Sequence, residues 1–135
     1  MKNIEQQIKN IAIEVGFDAC GITFPQPLIS DNNYLSTWIS NNFNGEMHYM
    51  ENHREKRTNV QFLCEGTKSI VVVLLNYFTQ KHQLEDVPYV AKYAYGKDYH
   101  YVIKNRLYQL LERIKTEVIH CNGTAFCDSA PIFER

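Results

Sequence analysis

The sequence predicts an α/β (α+β) domain in which a small mixed β-sheet is flanked by helices. Three observations carry this prediction. "SIVVVLLNYF" (69–78) is continuously apolar and β-branched, as a central strand covered on both faces would be. Residues 3–15 and 98–120 carry apolar side chains at helical spacing. Shorter strand-like segments alternate with helical ones, giving the order α–β–α–(α)–β–β–α–β.

Each element has its own signal. In the first helix Ile4, Ile8, Ile11, Ala12 and Val15 form one face, and Gly16 stops it. "FDACGIT" (17–23) reads as a short strand, and "FPQPLIS" as an extended loop around its two prolines. A second helix is predicted over 31–43, with Asp31 as its cap and Leu35, Trp38, Ile39 and Phe43 on its buried face. Residues 45–60 read as a short helix and then a cation-rich loop. "YVAKYAY" (89–95) alternates with a period of two, predicting a strand with Tyr89, Tyr93 and Tyr95 on one face. In the long helix Val102, Ile103, Leu107, Leu110, Leu111, Ile114 and Val118 make the apolar stripe, and Asn122-Gly123 ends it. "TAFC" is a last strand.

The chain has 135 residues, enough for one domain with a modest core. Its net charge is −1 with no run of one sign, so composition points to neither nucleic acid nor a membrane surface. The polar N-terminus does not read as an export signal, and no stretch is long and apolar enough to span a bilayer. Cys20, Cys64, Cys121 and Cys127 show no zinc or cluster spacing and are expected to be reduced thiols of a cytoplasmic protein.

Four stretches carry chemistry, each with a plainer alternative. In "GKDYH", Gly96 allows a sharp turn and Asp98 can cap the following helix. The first-turn amides, with Lys97, could then face an anion, or the stretch is only a capped strand–helix junction. His100 alone reads as a surface or satisfied core histidine. "HREKR" (53–57) holds three cations and one acid, and Arg57 suits a bidentate phosphate or carboxylate contact, although a solvated loop has the same composition. "CDSAP" puts Asp128 just after a strand, where open sheets hold ligands. Against apolar walls its carboxyl would stay neutral and serve as a general acid, and the alternative is an Asp-Ser turn before Pro131. The tyrosines of 89–101 form a core face or a wall against a planar ligand.

In this order, "GEMHYM", "EKR", "EGTKSIVVVLLNYF", "YAYGKDYHYVIKNRL" and "DSAPIFER" resemble the N-terminal part of the epoxyqueuosine reductase family across essentially the whole chain. The resemblance implies a cobalamin-binding domain with a fold similar to cobalamin-processing and nitroreductase-like domains. It implies reduction of epoxyqueuosine to queuosine in tRNA, the last step of queuosine biosynthesis, by a monomeric enzyme that uses cobalamin and two 4Fe-4S clusters. It places the proton-donating aspartate on Asp128 and the cobalamin-contacting arginine on Arg57. It also puts Ala91, Lys97, Asp98, Tyr99, His100 and Arg135 along the corrin. Two departures stand out: Asn59-Val60 replaces a common Asp-Pro, and Glu65 replaces a proline.

The family's ferredoxin-like cluster domain and tRNA-binding helical-repeat tail have no counterpart in these residues. The chain is therefore expected to be a single domain, 1–135, of a longer enzyme, to bind no cluster and to be inactive alone. Exposed pocket surface would favour a dimer of such a piece. The alternative is a stand-alone, non-catalytic corrinoid-binding or interaction domain.

Overall fold

The computed structural model describes residues 3–128 and 130–133. The chain forms two compact units. One comprises the residues up to Ile22 together with Val71–Cys127, and the other comprises Thr23–Ile70 with the residues from Asp128 onward.

The first unit is built on two helices. Helix α1 (Ile4–Val15) starts where the Asn3 side chain accepts from the Glu5 N–H. It ends at Gly16, whose φ of 102° is left-handed. The Gly16 N–H donates to Ile13 O at 2.9 Å and the Phe17 N–H to Ala12 O at 3.0 Å, a pairing that uses up the last carbonyls of the helix. Helix α4 (Tyr99–Arg113) continues through Val118 as a wider π-helical turn. Ile8, Ile11, Ala12 and Phe17 pack with Leu110 and Ile114 into one cluster, so the two longest apolar stripes of the sequence find each other. The Arg113 guanidinium ties the same helices at the surface, 2.8 Å from Glu14 and forked onto Glu117 at 2.6 and 2.9 Å. This fork holds the Glu117 carboxyl below the usual carboxylate range.

Strands β1 (Ala19–Thr23) and β2 (Ile70–Leu74) pair antiparallel. Their register is pinned where the Asp18 N–H donates to Leu74 O at 2.9 Å and the Asn76 N–H donates to the Asp18 carboxylate at 2.6 Å. Cys20, Ile22, Val71 and Val73 turn toward the helices. Burial pushes the Cys20 thiol up, opposed by nearby Lys9, so the thiol stays protonated.

The predicted sheet was larger. "YVAKYAY" is not a strand: it holds a short 3₁₀ turn at Lys92–Ala94 between extended residues. The Gln83 side chain donates to Val90 O and accepts from the Val90 N–H, taking both groups that a neighbouring strand would need. "TAFC" is likewise not a strand, although Cys127 is buried. Alternation shows which way side chains would face, but a ladder also needs a partner. For the same reason β2 is shorter than 69–78 and not covered on both faces: Val72 and Leu74 are 50% and 62% exposed.

In the second unit α2 (Ile29–Ser40) buries Leu35. It starts at Leu28 rather than at Asp31, which falls in its first turn and favours the positive helix end from there. Phe43 is exposed and lies beyond this helix. Helix α3 (Arg54–Thr58) forms where a charged loop was expected. It is anchored on α2: the Leu28 N–H donates to Thr58 O at 2.8 Å, and the Arg54 guanidinium donates to the Ser36 hydroxyl.

A residue with a Cβ at position 16 would be held in left-handed backbone and would stand 3.3 Å from the Arg106 guanidinium, which donates to Gly16 O at 2.7 Å. Gly16→Ala is expected to destabilise the chain by about 1–2 kcal/mol in denaturant unfolding. An unchanged midpoint would contradict this role for the glycine.

Candidate functional site

Arg57 and Asp128, far apart in sequence, line the same cavity of about 480 Å³ in the second unit, together with Tyr49, Asn52, His53 and Pro131. Local folding explains how Arg57 gets there. His53 enters α3 in left-handed backbone (φ 57°, ψ 30°), a conformation that histidine tolerates better than most residues and that tends to collect at binding sites. The Thr58 hydroxyl donates back to Arg54 O at 3.2 Å, and Thr58 is buried, so the last turn of α3 is fixed. Arg57 Nη2 donates to Tyr49 O at a long 3.4 Å. Its Nε–H is buried and has no hydrogen-bond partner among the described residues. Leaving such a donor unmet typically costs about 1–3 kcal/mol, so the site is short of an acceptor on this side.

Asp128 is exposed in this chain. Tyr49, Asn52 and His53 were not singled out from the sequence as parts of this cavity. The signal available was the cluster of polar and aromatic residues around "HYMENHREKR".

The second predicted group lies in the first unit, at the start of α4. Asp98 caps the helix: its carboxylate accepts from the His100 N–H at 2.9 Å and lies 2.8 Å from His100 Nδ1. These bonds hold the Asp98 carboxyl below the usual carboxylate range. A carboxylate thus already occupies the place at the helix start where an outside anion was considered. The rings of Tyr99 and His100 stack at 4.0 Å, Tyr93 meets Tyr99 edge-on at 5.9 Å, and Tyr77 meets Tyr93 edge-on at 6.4 Å. Lys97 is exposed, and Ala91 precedes the 3₁₀ turn in extended backbone. The expected tyrosine wall is divided. Tyr93 joins this aromatic chain, while Tyr89 and Tyr95 line a separate cavity of about 340 Å³ with Lys81, His82 and Lys92. Arg135 lies outside the described residues. Among the described residues no helix is long and apolar enough to cross a membrane.

The chain is an α/β scaffold in which an arginine and an aspartate line one cavity, and the comparisons with known proteins narrow its class. The family model described as "Epoxyqueuosine reductase QueG, DUF1730" matches residues 57–129, a span that includes both Arg57 and Asp128. An epoxyqueuosine reductase of Leadbetterella byssophila is 44% identical over 100% of this chain and 45% of its own length. One from Escherichia coli is 34% identical over 100% of this chain and 37% of its own. The fold is similar to that of a crystal structure of an epoxyqueuosine reductase with an epoxyqueuosine-modified tRNA stem loop, with a TM-score of 0.77 at 23% identity over 96% of this chain and 36% of that one. The Streptococcus thermophilus enzyme gives a TM-score of 0.68 at 22% identity. The chain belongs to the epoxyqueuosine reductase family. It spans less than half the length of the curated relatives it matches.

The Asp98 cap sets a pH dependence. Its folded-state pKa is depressed, so its contribution is complete above the unfolded-state value of about 4 and is lost as pH falls through the lower folded value. Asp98→Ala is expected to lower the melting temperature by a few degrees at neutral pH, with little further effect in acid. Asp98→Asn should keep most of the cap and lose the pH dependence. Parallel acid titrations followed by circular dichroism check both.

Proposed function

We propose that this chain is the part of an epoxyqueuosine reductase that holds one side of a cobalamin and presents an acid to the substrate. The observation that carries this reading is the shared cavity of Arg57 and Asp128, with the buried Arg57 Nε–H lacking a partner among the described residues.

The residues present fit the cofactor. A corrin is rimmed by amide groups and carries a phosphate, all of them acceptors, and Arg57 offers a planar fork of donors with one aimed into a buried place. A cavity of about 480 Å³ is too small for the whole of cobalamin, so these residues would hold an edge of it. When bound, cobalamin supplies the reducing centre for the epoxide, with electrons delivered from iron–sulfur clusters elsewhere in the whole enzyme.

What this chain adds is a proton. In the whole enzyme the Asp128 carboxyl, in its neutral form, would donate to the epoxide oxygen as one C–O bond opens, so that a hydroxyl rather than an alkoxide is left on the ring carbon. The exposed side chain then recovers its proton from water. The substrate is epoxyqueuosine in tRNA, which puts the whole reductase in the cytoplasm. Whole-enzyme activity is proposed for the full-length reductase, since this chain spans less than half the length of its relatives.

Titration of cob(II)alamin into the purified chain, followed by visible absorption, tests the binding. A saturable spectral change is expected, weakened about tenfold or more in Arg57→Ala, as the loss of a charge-assisted hydrogen bond implies. Equal affinities in the two proteins would overturn the role of Arg57. In the full-length Leadbetterella byssophila relative, an asparagine at the position aligned with Asp128 should lower kcat by about 10²–10⁴-fold and leave cobalamin binding intact.

A further inference from the structure

The sheet of the first unit has one face against helices and one face open. Cys20, Ile22, Val71 and Val73 turn inward to the α1–α4 cluster. On the opposite side Val72 and Leu74 are exposed, beside Ala19 and Gly21 of β1, which are exposed too. A side chain built at Gly21 would meet nothing within 4 Å. The outer face is therefore a shallow apolar step, with the branched side chains of β2 standing above the small residues of β1.

This exposure conflicts with the sequence of β2. "SIVVVLL" is apolar at every position after its first serine, the composition of a strand buried on both faces rather than one with a solvent side. Something apolar is expected to cover Val72 and Leu74. A second copy of this chain suits the face poorly. Two five-residue strands present roughly 17 Å by 10 Å, far below the approximately 800 Å² per partner that a stable association buries. A covering segment tethered to the same polypeptide does not need that area, because the tether supplies a high effective concentration. Relatives that align with the whole of this chain have more than half of their length outside it.

We propose that the outer face of β1 and β2, centred on Val72 and Leu74, is the docking surface for an apolar segment from the part of the reductase that this chain does not span. Gly21 and Ala19 let that segment approach closely, and Val72 and Leu74 fill its underside. This inference rests on family membership and not on cobalamin binding, so a failed cobalamin titration leaves it standing.

The test compares one substitution in two settings. In this chain Leu74→Lys is expected to leave the melting temperature within about a degree, since the side chain already faces water. In the full-length Leadbetterella byssophila relative, lysine at the aligned position should lower it by several degrees, because the same site is covered. If the full-length protein yields no folded material, threonine at the position aligned with Val72 makes the same comparison more gently. A small effect in both proteins would overturn the proposal, since the face would then be open in the whole enzyme. A large effect that coincides with dissociation of a full-length dimer in sedimentation would also overturn it, because a second copy would be the cover.

Discussion

Ala12 is wholly buried in the cluster where α1 meets α4, and most of the first unit depends on that contact. A larger side chain there would force the helices apart, and a smaller one would leave a void. The contact holds only because the chain leaves α1 sharply. Gly16 takes a left-handed turn that no branched residue would accept, Phe17 folds back into the same cluster, and Asp18 meets the end of β2. Arg106 closes the arrangement from α4 by donating to Gly16 O. One small residue and one glycine thus place both helices and bring β1 beside β2.

The second unit solves a different problem with less apolar material. Leu35 is its only strongly buried hydrophobic side chain among the described residues, and hydrogen bonds do the rest. Thr58, Arg54, Ser36 and the Leu28 backbone fix a helix of five residues that would not persist alone. Its purpose is positional. Arg57 is delivered to a cavity with one donor buried and unmet among the described residues, a cost that a plain surface arginine would avoid by turning to water. The proposed contact with a ligand rich in acceptors would satisfy such a donor.

Helices were more legible in the sequence than strands, for a physical reason. The stripe of α1 and that of α4 are each complete within one segment, and Gly16 and Asp98 mark one end of each in the expected way, while the Asn3 cap is seen only in the structure. A strand is half of an interaction. The alternation in "YVAKYAY" correctly showed a two-faced segment, but nothing local reveals that Gln83 takes the hydrogen-bonding groups of Val90. Asp31 is not the cap because the N-cap of α2 falls three residues earlier, at Leu28, without any side-chain cap. The site was only partly legible. Asp98 as a cap follows from its residue type and position. That Arg57 and Asp128 share a cavity could come only from the family resemblance or from the fold, because the residues between them contribute to both units. His53, the left-handed residue beside Arg57, gave no signal beyond its charged surroundings.

The central claim is that the buried Arg57 donor belongs to a bound corrin. The ¹H–¹⁵N resonance of Arg57 Nε, followed while diamagnetic hydroxocobalamin is added, addresses it most directly. A saturable shift with slower exchange of that proton with water is the predicted result. A resonance that stays unmoved while the absorption spectrum reports bound cobalamin would place the corrin elsewhere on the chain and contradict the account.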